Sequence, residues 1–317
     1  MLVQRNRILR NGRDGPVFSA AFSPAGDLLA TGDARGTVKI WDVASGQARA
    51  VSRGHPRAVW SVAFAPDGCL LASASLDGSV ILWDTPDLKS RDIFRPDESP
   101  IWSVAFSPAG RILAAGTGAG VVKLYEGGST QETAVLNGHN RDVYSLAFSP
   151  DGETLTTGGA DMRTVLWDVA TGRQQALLPG HLGGINAVAF SPDGERLATA
   201  GNDMSAQIWS TASRTLWASL KDHYGLVEDV AFNSDGSNLA TAGQDSMVFL
   251  WEVESGRRLA KLAGHVDAVW AVAWSCDGRT LASASEDRTI VVWDFVPQRT
   301  GELEDEQVTL DPTLSRA

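Results

Sequence analysis

Apolar and polar residues alternate along this chain in short runs closed by turn residues, most fully in GHPRAVWSVAFAPDGCLLASASLDGSVILWD, from Gly54 to Asp84. Val59–Phe64 predicts a first strand, and Ala65-Pro66-Asp67-Gly68 a hairpin turn, with Pro where φ is preset and Gly where it must be positive. Leu70–Ser75 predicts a second strand, Asp77-Gly78 a tight turn, and Ser79–Trp83 a third strand rich in β-branched and large apolar residues. Ile81 and Trp83 lie on one face of that third strand, Val80 and Leu82 on the other. A strand apolar on both faces is expected to lie between two sheets. A polar link then leads to a fourth, weaker strand near the next Gly-His.

The pattern recurs. The last Trp of the stretch has counterparts at Trp41, Trp83, Tyr125, Trp167, Trp209, Trp251 and Trp293, each 42 residues from the next. Seven units follow one another without insertion or deletion. A fixed period in the range of about 20–50 residues marks a repeat architecture, in which no unit buries its apolar faces alone.

The order Gly-His, Ser-Pro-Asp-Gly, a Ser/Thr four residues before Asp, and Trp-Asp resembles the WD-repeat β-propeller family over residues 3–296. The resemblance implies an all-β, seven-bladed β-propeller with four-stranded antiparallel blades. Val3–Leu9 sits in the register of a fourth strand, whereas FVPQRTGELEDEQ after Asp294 does not look like one. The N-terminal strand is therefore expected to close the ring by pairing into the last blade, beside Thr289–Trp293. Residues 1–296 form the expected propeller. Residues 297–317, with Glu302, Glu304, Asp305 and Glu306 clustered, are expected to be an acidic, disordered tail.

All five histidines occupy the Gly-His register, where Asp222 once replaces Gly. The resemblance implies that each joins a buried hydrogen-bond chain with a Ser/Thr, an Asp and the Trp indole: His55, Ser73, Asp77, Trp83; His139, Thr157, Asp161, Trp167; His181, Thr199, Asp203, Trp209; His223, Thr241, Asp245, Trp251; and His265, Ser283, Asp287, Trp293. Ser, His and Asp together suggest a hydrolase. A nucleophile, however, needs exposure and an oxyanion site, whereas a set repeated five times that also occupies an indole N–H reads as a structural network. Unit one has Arg13 and Arg35 in place of His and Asp, keeping only Thr31 and Trp41. Unit three, with Asp97, Ala115, Ala119 and Tyr125, is expected to lack the network.

Composition narrows the function. Lys+Arg 27 against Asp+Glu 38 gives a net charge of −11, which disfavours nucleic acid or an anionic membrane as partner. No apolar run approaches the ~20 residues of a membrane span, and MLVQRNRILR lacks the apolar segment of a secretory signal. Cys69 and Cys276 read as small buried or turn residues in a reducing compartment, and the chain is expected to be cytoplasmic and monomeric on its own. Neither a metal cluster nor a phosphate loop is evident, so no cofactor is expected. Gly116–Gly120 falls in a hairpin with no helix after it.

One further register, four residues before the repeated Phe, holds Phe18, Trp60, Trp102, Tyr144, Asn186, Glu228 and Trp270. Its five aromatics are consecutive around a ring. Strand alternation allows them to be inter-blade core. If they instead project into the channel mouth, they form an apolar crescent bordered by Asn186, Glu228 and Leu76. The expected function is a non-enzymatic scaffold in which Trp60, Trp102 and Trp270 anchor a protein or peptide, with Arg57 and Arg141 favouring acidic groups nearby. Two alternatives stay open: a propeller enzyme with a channel-mouth site, marked by perturbed carboxylates there, and a regulatory module of a larger signalling protein.

Overall fold

The computed structural model describes residues 2–296 and 307–309. Strand β1 (Leu2–Arg10) comes first, followed by blade 1: β2 (Val17–Phe22), β3 (Leu28–Asp33), β4 (Val38–Asp42) and β5 (Ala48–Ser52), joined antiparallel in sequence order. Five more blades repeat this meander, and their strands match the alternating runs of the sequence. In blade 2 they are Val59–Phe64, Leu70–Ser75, Val80–Asp84 and Lys89–Phe94. Blade 7 supplies only three consecutive strands, Val269–Trp274, Thr280–Ser285 and Thr289–Val296. Its fourth is β1, antiparallel to Thr289–Val296 with Asn6 opposite Trp293, so the ring closes where the N-terminal register predicts.

Burial on both faces of the third strand is what makes the blades cohere. Ile81 and Trp83 enter the core shared with blade 1, beside Ile40, Val59 and Leu71. Val80 and Leu82 enter the next core, beside Ile101, Leu113 and Tyr125 of blade 3. Each such side chain contributes about 1.5–3 kcal/mol by leaving water. The closing seam is built alike, with Leu9, Val17 and Trp41 against Ile290 and Val292.

The five predicted networks are all formed. In blade 2, His55 Nε2 lies 2.7 Å from Ser73 Oγ, the Trp83 indole N–H donates to the same oxygen at 2.8 Å, and His55 Nδ1 meets Asp77 at 3.0 Å. A carboxylate only accepts, so Nδ1 carries the proton, Nε2 accepts from the hydroxyl, and the hydroxyl accepts from the indole. Thr157, Thr199, Thr241 and Ser283 hold the same place in blades 4 to 7. These hydroxyls are completely buried, which suits a tie between strands and not a nucleophile. The Gly of Gly-His has a steric cause: a Cβ on Gly54 would stand 2.4 Å from the Trp83 ring.

Blade 1 departs from the sequence expectation. Thr31 and Trp41 do keep their bond at 2.9 Å, yet they are not alone. Buried Asn11 donates to Asp33 at 3.1 Å, and Asp33 accepts the Arg35 and Thr37 N–H groups, so a carboxylate two residues early takes over the turn. Lys39, also buried, pairs with Asp14 at 2.8 Å. Blade 3 lacks the network, as expected, and buried Tyr125 packs on Phe94 instead. Cys69 and Cys276 are both exposed and free, which corrects the buried alternative: each sits in a turn between the first and second strands, where solvent and not core surrounds it. Residues 307–309 lie parallel to Arg258–Ala263 on the outside of blade 6. The rest of the expected acidic tail lies outside the described residues.

Candidate functional site at the channel mouth

Every first strand carries the same irregularity. In its pairing with the second strand, Val59 faces Ser75 and Ser61 faces Ala74, so Trp60 is an extra residue in a β-bulge. The other six first strands skip Phe18, Trp102, Tyr144, Asn186, Glu228 and Trp270. A bulge interrupts alternation and re-aims the side chain it inserts. All seven side chains are partly exposed and line one cavity of about 390 Å³ at an end of the central channel.

The aromatics do not form an open crescent; they pack on one another. Phe18 stacks on Trp60 at 4.3 Å, Trp270 meets Phe18 and Trp60 edge-on at 5.6 Å, and Tyr144 meets Trp102 edge-on at 5.2 Å. Blades 7, 1, 2, 3 and 4 thus present a continuous aromatic wall. Blades 5 and 6 face it with Asn186, Asn202, Glu228, Asp229 and Gln244.

Hydrogen bonds fix this polar side. The turn between the second and third strands answers the bulge residue of its own blade: Asn186 donates to Asn202 at 2.7 Å, Gln244 to Glu228 at 2.7 Å, and the Trp270 indole to Glu286 at 2.8 Å. In blade 2 that turn position is Leu76. Its side chain offers no acceptor and does not line the cavity, and among the described residues the buried Trp60 N–H has no partner. Trp102 donates instead to Asp142 of blade 4 at 3.1 Å.

One residue inward, serines lace the first strands together. Ser19, Ser61 and Ser145 each accept the N–H of a valine in the next blade, at 3.0, 3.2 and 3.1 Å. Blade 6 has Asp229 there, accepting Val272 N–H at 2.9 Å with one oxygen and Val230 N–H at 2.9 Å with the other. Burial pushes this carboxyl up to about 7, with the Glu228 charge adding to the rise and the two N–H groups opposing it. Burial also raises Glu228, against the Gln244 hydrogen bond.

Arg57 and Arg141 are exposed and lie outside the cavity lining, and Arg57 donates to the Leu76 carbonyl at 2.8 Å. Sequence reasoning passed over Asp229, Asn202, Gln244 and Glu286, although their registers were in view. It also passed over a rim of side chains at the residue after His, where Leu182, Tyr224 and Val266 are 88%, 86% and 87% exposed in three consecutive blades. Among the described residues no three metal-ligating side chains converge, and no helix is long and apolar enough to cross a membrane.

The profile of the "WD domain, G-beta repeat" family matches residues 5–42, 46–84, 89–126, 130–168, 172–210, 214–252 and 256–294. Each match begins with the outer strand of the preceding blade, the offset by which β1 completes blade 7. Over 41 residues the chain is 51% identical to an uncharacterized WD repeat-containing protein of Nostoc sp., a stretch covering 13% of this chain and 3% of that protein's length. The seven matched repeats, each folded as three strands of one blade and the outer strand of its neighbour, show that the chain belongs to the WD-repeat family.

Proposed function

We propose that this propeller is a non-enzymatic scaffold that holds a protein or peptide partner at the mouth of its central channel. WD-repeat propellers typically bind proteins or peptides and are generally non-enzymatic interaction modules. The observation that carries the reading here is the bulge: all seven first strands turn one side chain out of the inter-blade core and into a single cavity, and five of the seven are aromatic. Large rings placed around a concavity provide the anchors that dominate interface energetics.

A channel-mouth enzyme draws on one observation, the raised carboxyls of Glu228 and Asp229. Both Asp229 oxygens, however, hold backbone N–H groups, so this residue serves as the bridge between blades 6 and 7. The test is affinity capture with wild type and a Trp102→Ala/Trp270→Ala variant, with circular dichroism and urea denaturation reporting the fold. Loss of specific partners from a folded variant supports the reading. An unchanged partner set overturns it.

A further inference from the structure

We infer that the channel mouth takes a cationic side chain, the ammonium of lysine or the guanidinium of arginine, presented by a basic segment of a protein partner; the inference rests on reading that mouth as a partner-binding site. Charge is the first argument. The formally charged side chains lining the cavity are Glu228 and Asp229, and neither Lys nor Arg is among its lining residues. Of the two basic candidates from the sequence, Arg57 is tied to the Leu76 carbonyl, and Arg141 is exposed outside the lining, where its charge reaches Tyr144 on the aromatic wall.

Unused hydrogen-bonding capacity is the second argument. Around the mouth the amide donors and two of the indoles are taken: Asn186 Nδ2 by Asn202 and the Val227 carbonyl, Gln244 Nε2 by Glu228, and the Trp270 and Trp102 indoles by Glu286 and Asp142, which leaves the buried Trp60 N–H and neutral hydroxyls such as that of Tyr144. Among the described residues, nothing donates to the second carboxylate oxygen of Glu228 or to the Asn186 carbonyl oxygen. A site with a carboxylate oxygen and an amide oxygen to spare suits a ligand that only donates, as ammonium and guanidinium do.

The opposite wall points the same way. Ring faces attract cations through their quadrupole, and a charge held between aromatic carbon and carboxylate oxygen interacts with both. Burial raises both carboxyls and no cation among their neighbours offsets it, so a bound cation would supply the missing counter-charge. A carboxylate or phosphate ligand would meet like charge. At about 390 Å³ the cavity has room for a long side chain, and the net charge of −11 draws basic segments toward the molecule.

The test uses the full chain and four fluorescein-labelled peptides, Gly-Ser-Ala-X-Ala-Ser-Gly, in which X is Lys, Arg, norleucine or Glu. Fluorescence anisotropy is recorded at low and high salt, against wild type, Glu228→Gln and Trp102→Ala/Trp270→Ala, each first shown to be folded. The expected result is that the Lys or Arg peptide binds about tenfold or more tighter than norleucine, that Glu binds weakest, and that salt erodes the preference. Glu228→Gln should remove most of the preference while leaving norleucine unchanged. If norleucine binds as tightly as Lys and Arg, and that binding is lost in the double Trp variant, the cation inference fails while the channel-mouth reading stands. Preference for Glu, a preference indifferent to Glu228→Gln, or no binding at millimolar protein likewise overturns the inference.

Discussion

Asp229 should make the stability of this propeller fall as pH rises from about 4 to about 7. Its carboxyl titrates at about 7 in the fold against 3.8 for the unperturbed group. Between those values the unfolded chain has released this proton and the folded chain has kept it. The folded state therefore binds more protons, and raising the pH favours unfolding, by at most about 1.4 kcal/mol per unit for a single group. From pH 5 to 7 the ceiling is about 2–3 kcal/mol. Asp229 opens onto the cavity, so solvent screening should leave a fraction of that figure.

Other groups titrate in the same window, and a variant separates them. Burial holds His55 below its usual value despite the attraction of Asp77, so its contribution is lost as the pH falls below about 6.5, opposite in sign to that of Asp229. Asp229→Ser installs the residue found at Ser19, Ser61 and Ser145, which accept the same bond from the next blade, so the Val272 N–H keeps an acceptor. Urea denaturation of both proteins at pH 5, 6, 7 and 8, with refolding checked, gives the difference directly. Asp229→Ser should gain about 1–2 kcal/mol on wild type between pH 5 and 7, then track it above. A difference that is flat with pH, or that grows toward acid, refutes the assignment of a raised carboxyl.

Two further outcomes follow from the fold. Asp203→Ala removes the acceptor for His181 and for the Leu182 N–H and should cost about 1–3 kcal/mol in a urea titration; unchanged stability would show that these bonds contribute nothing net. Deleting residues 1–10 takes away the outer strand of blade 7 and exposes the edge of Thr289–Val296, so it should lower the melting temperature or cause association in gel filtration, while deleting residues 299–317 should do much less; the reverse order would contradict closure by β1.

The fold was legible because a repeat states its grammar seven times. The period and the strand limits to within about a residue follow from spacing, which is what a sequence records, while the radial closure and the five networks follow from the resemblance that this spacing carries. The site was legible only in part. The register of Phe18, Trp60 and their counterparts stands out by composition, yet alternation alone would place those side chains on a core face. The bulge that turns them outward is an excess of one residue over the partner strand, and it becomes visible only when the two strands are laid side by side. Packing of the rings on each other, which replaces the expected crescent with a wall, is a property of their mutual distances. Asp229 was hidden by register: one carboxylate among four serines and two alanines looks like drift until the Val272 N–H is seen to need an acceptor. Asn11 and Asp33 were missed because they act from two residues ahead of the motif positions.

The buried networks and the channel mouth are connected through the loops that lead into the first strands. In blades 4 to 7 the network Asp also accepts the backbone N–H of the residue after His: Asn140, Leu182, Tyr224 and Val266, at 3.2, 2.9, 3.0 and 3.1 Å. In blade 2 the corresponding residue is Pro56, which has no N–H to give. A network that ties strands together therefore also fixes loop tips, and in blades 5 to 7 those tips carry exposed apolar side chains. Blades 5 and 6 are also the ones whose bulge residues are polar instead of aromatic. The face accordingly offers an aromatic wall on one side of the mouth, carboxylates on the other, and an apolar rim outside the carboxylates. A segment that places one cation in the mouth and apolar residues a short distance along the chain would meet all three. Asp203→Ala loosens the Leu182 tip without touching the cavity, so it should weaken a longer partner segment that reaches the rim while leaving the short peptides of the cation test unaffected. Equal losses for both lengths would show that the network acts on the cavity itself and not on the rim.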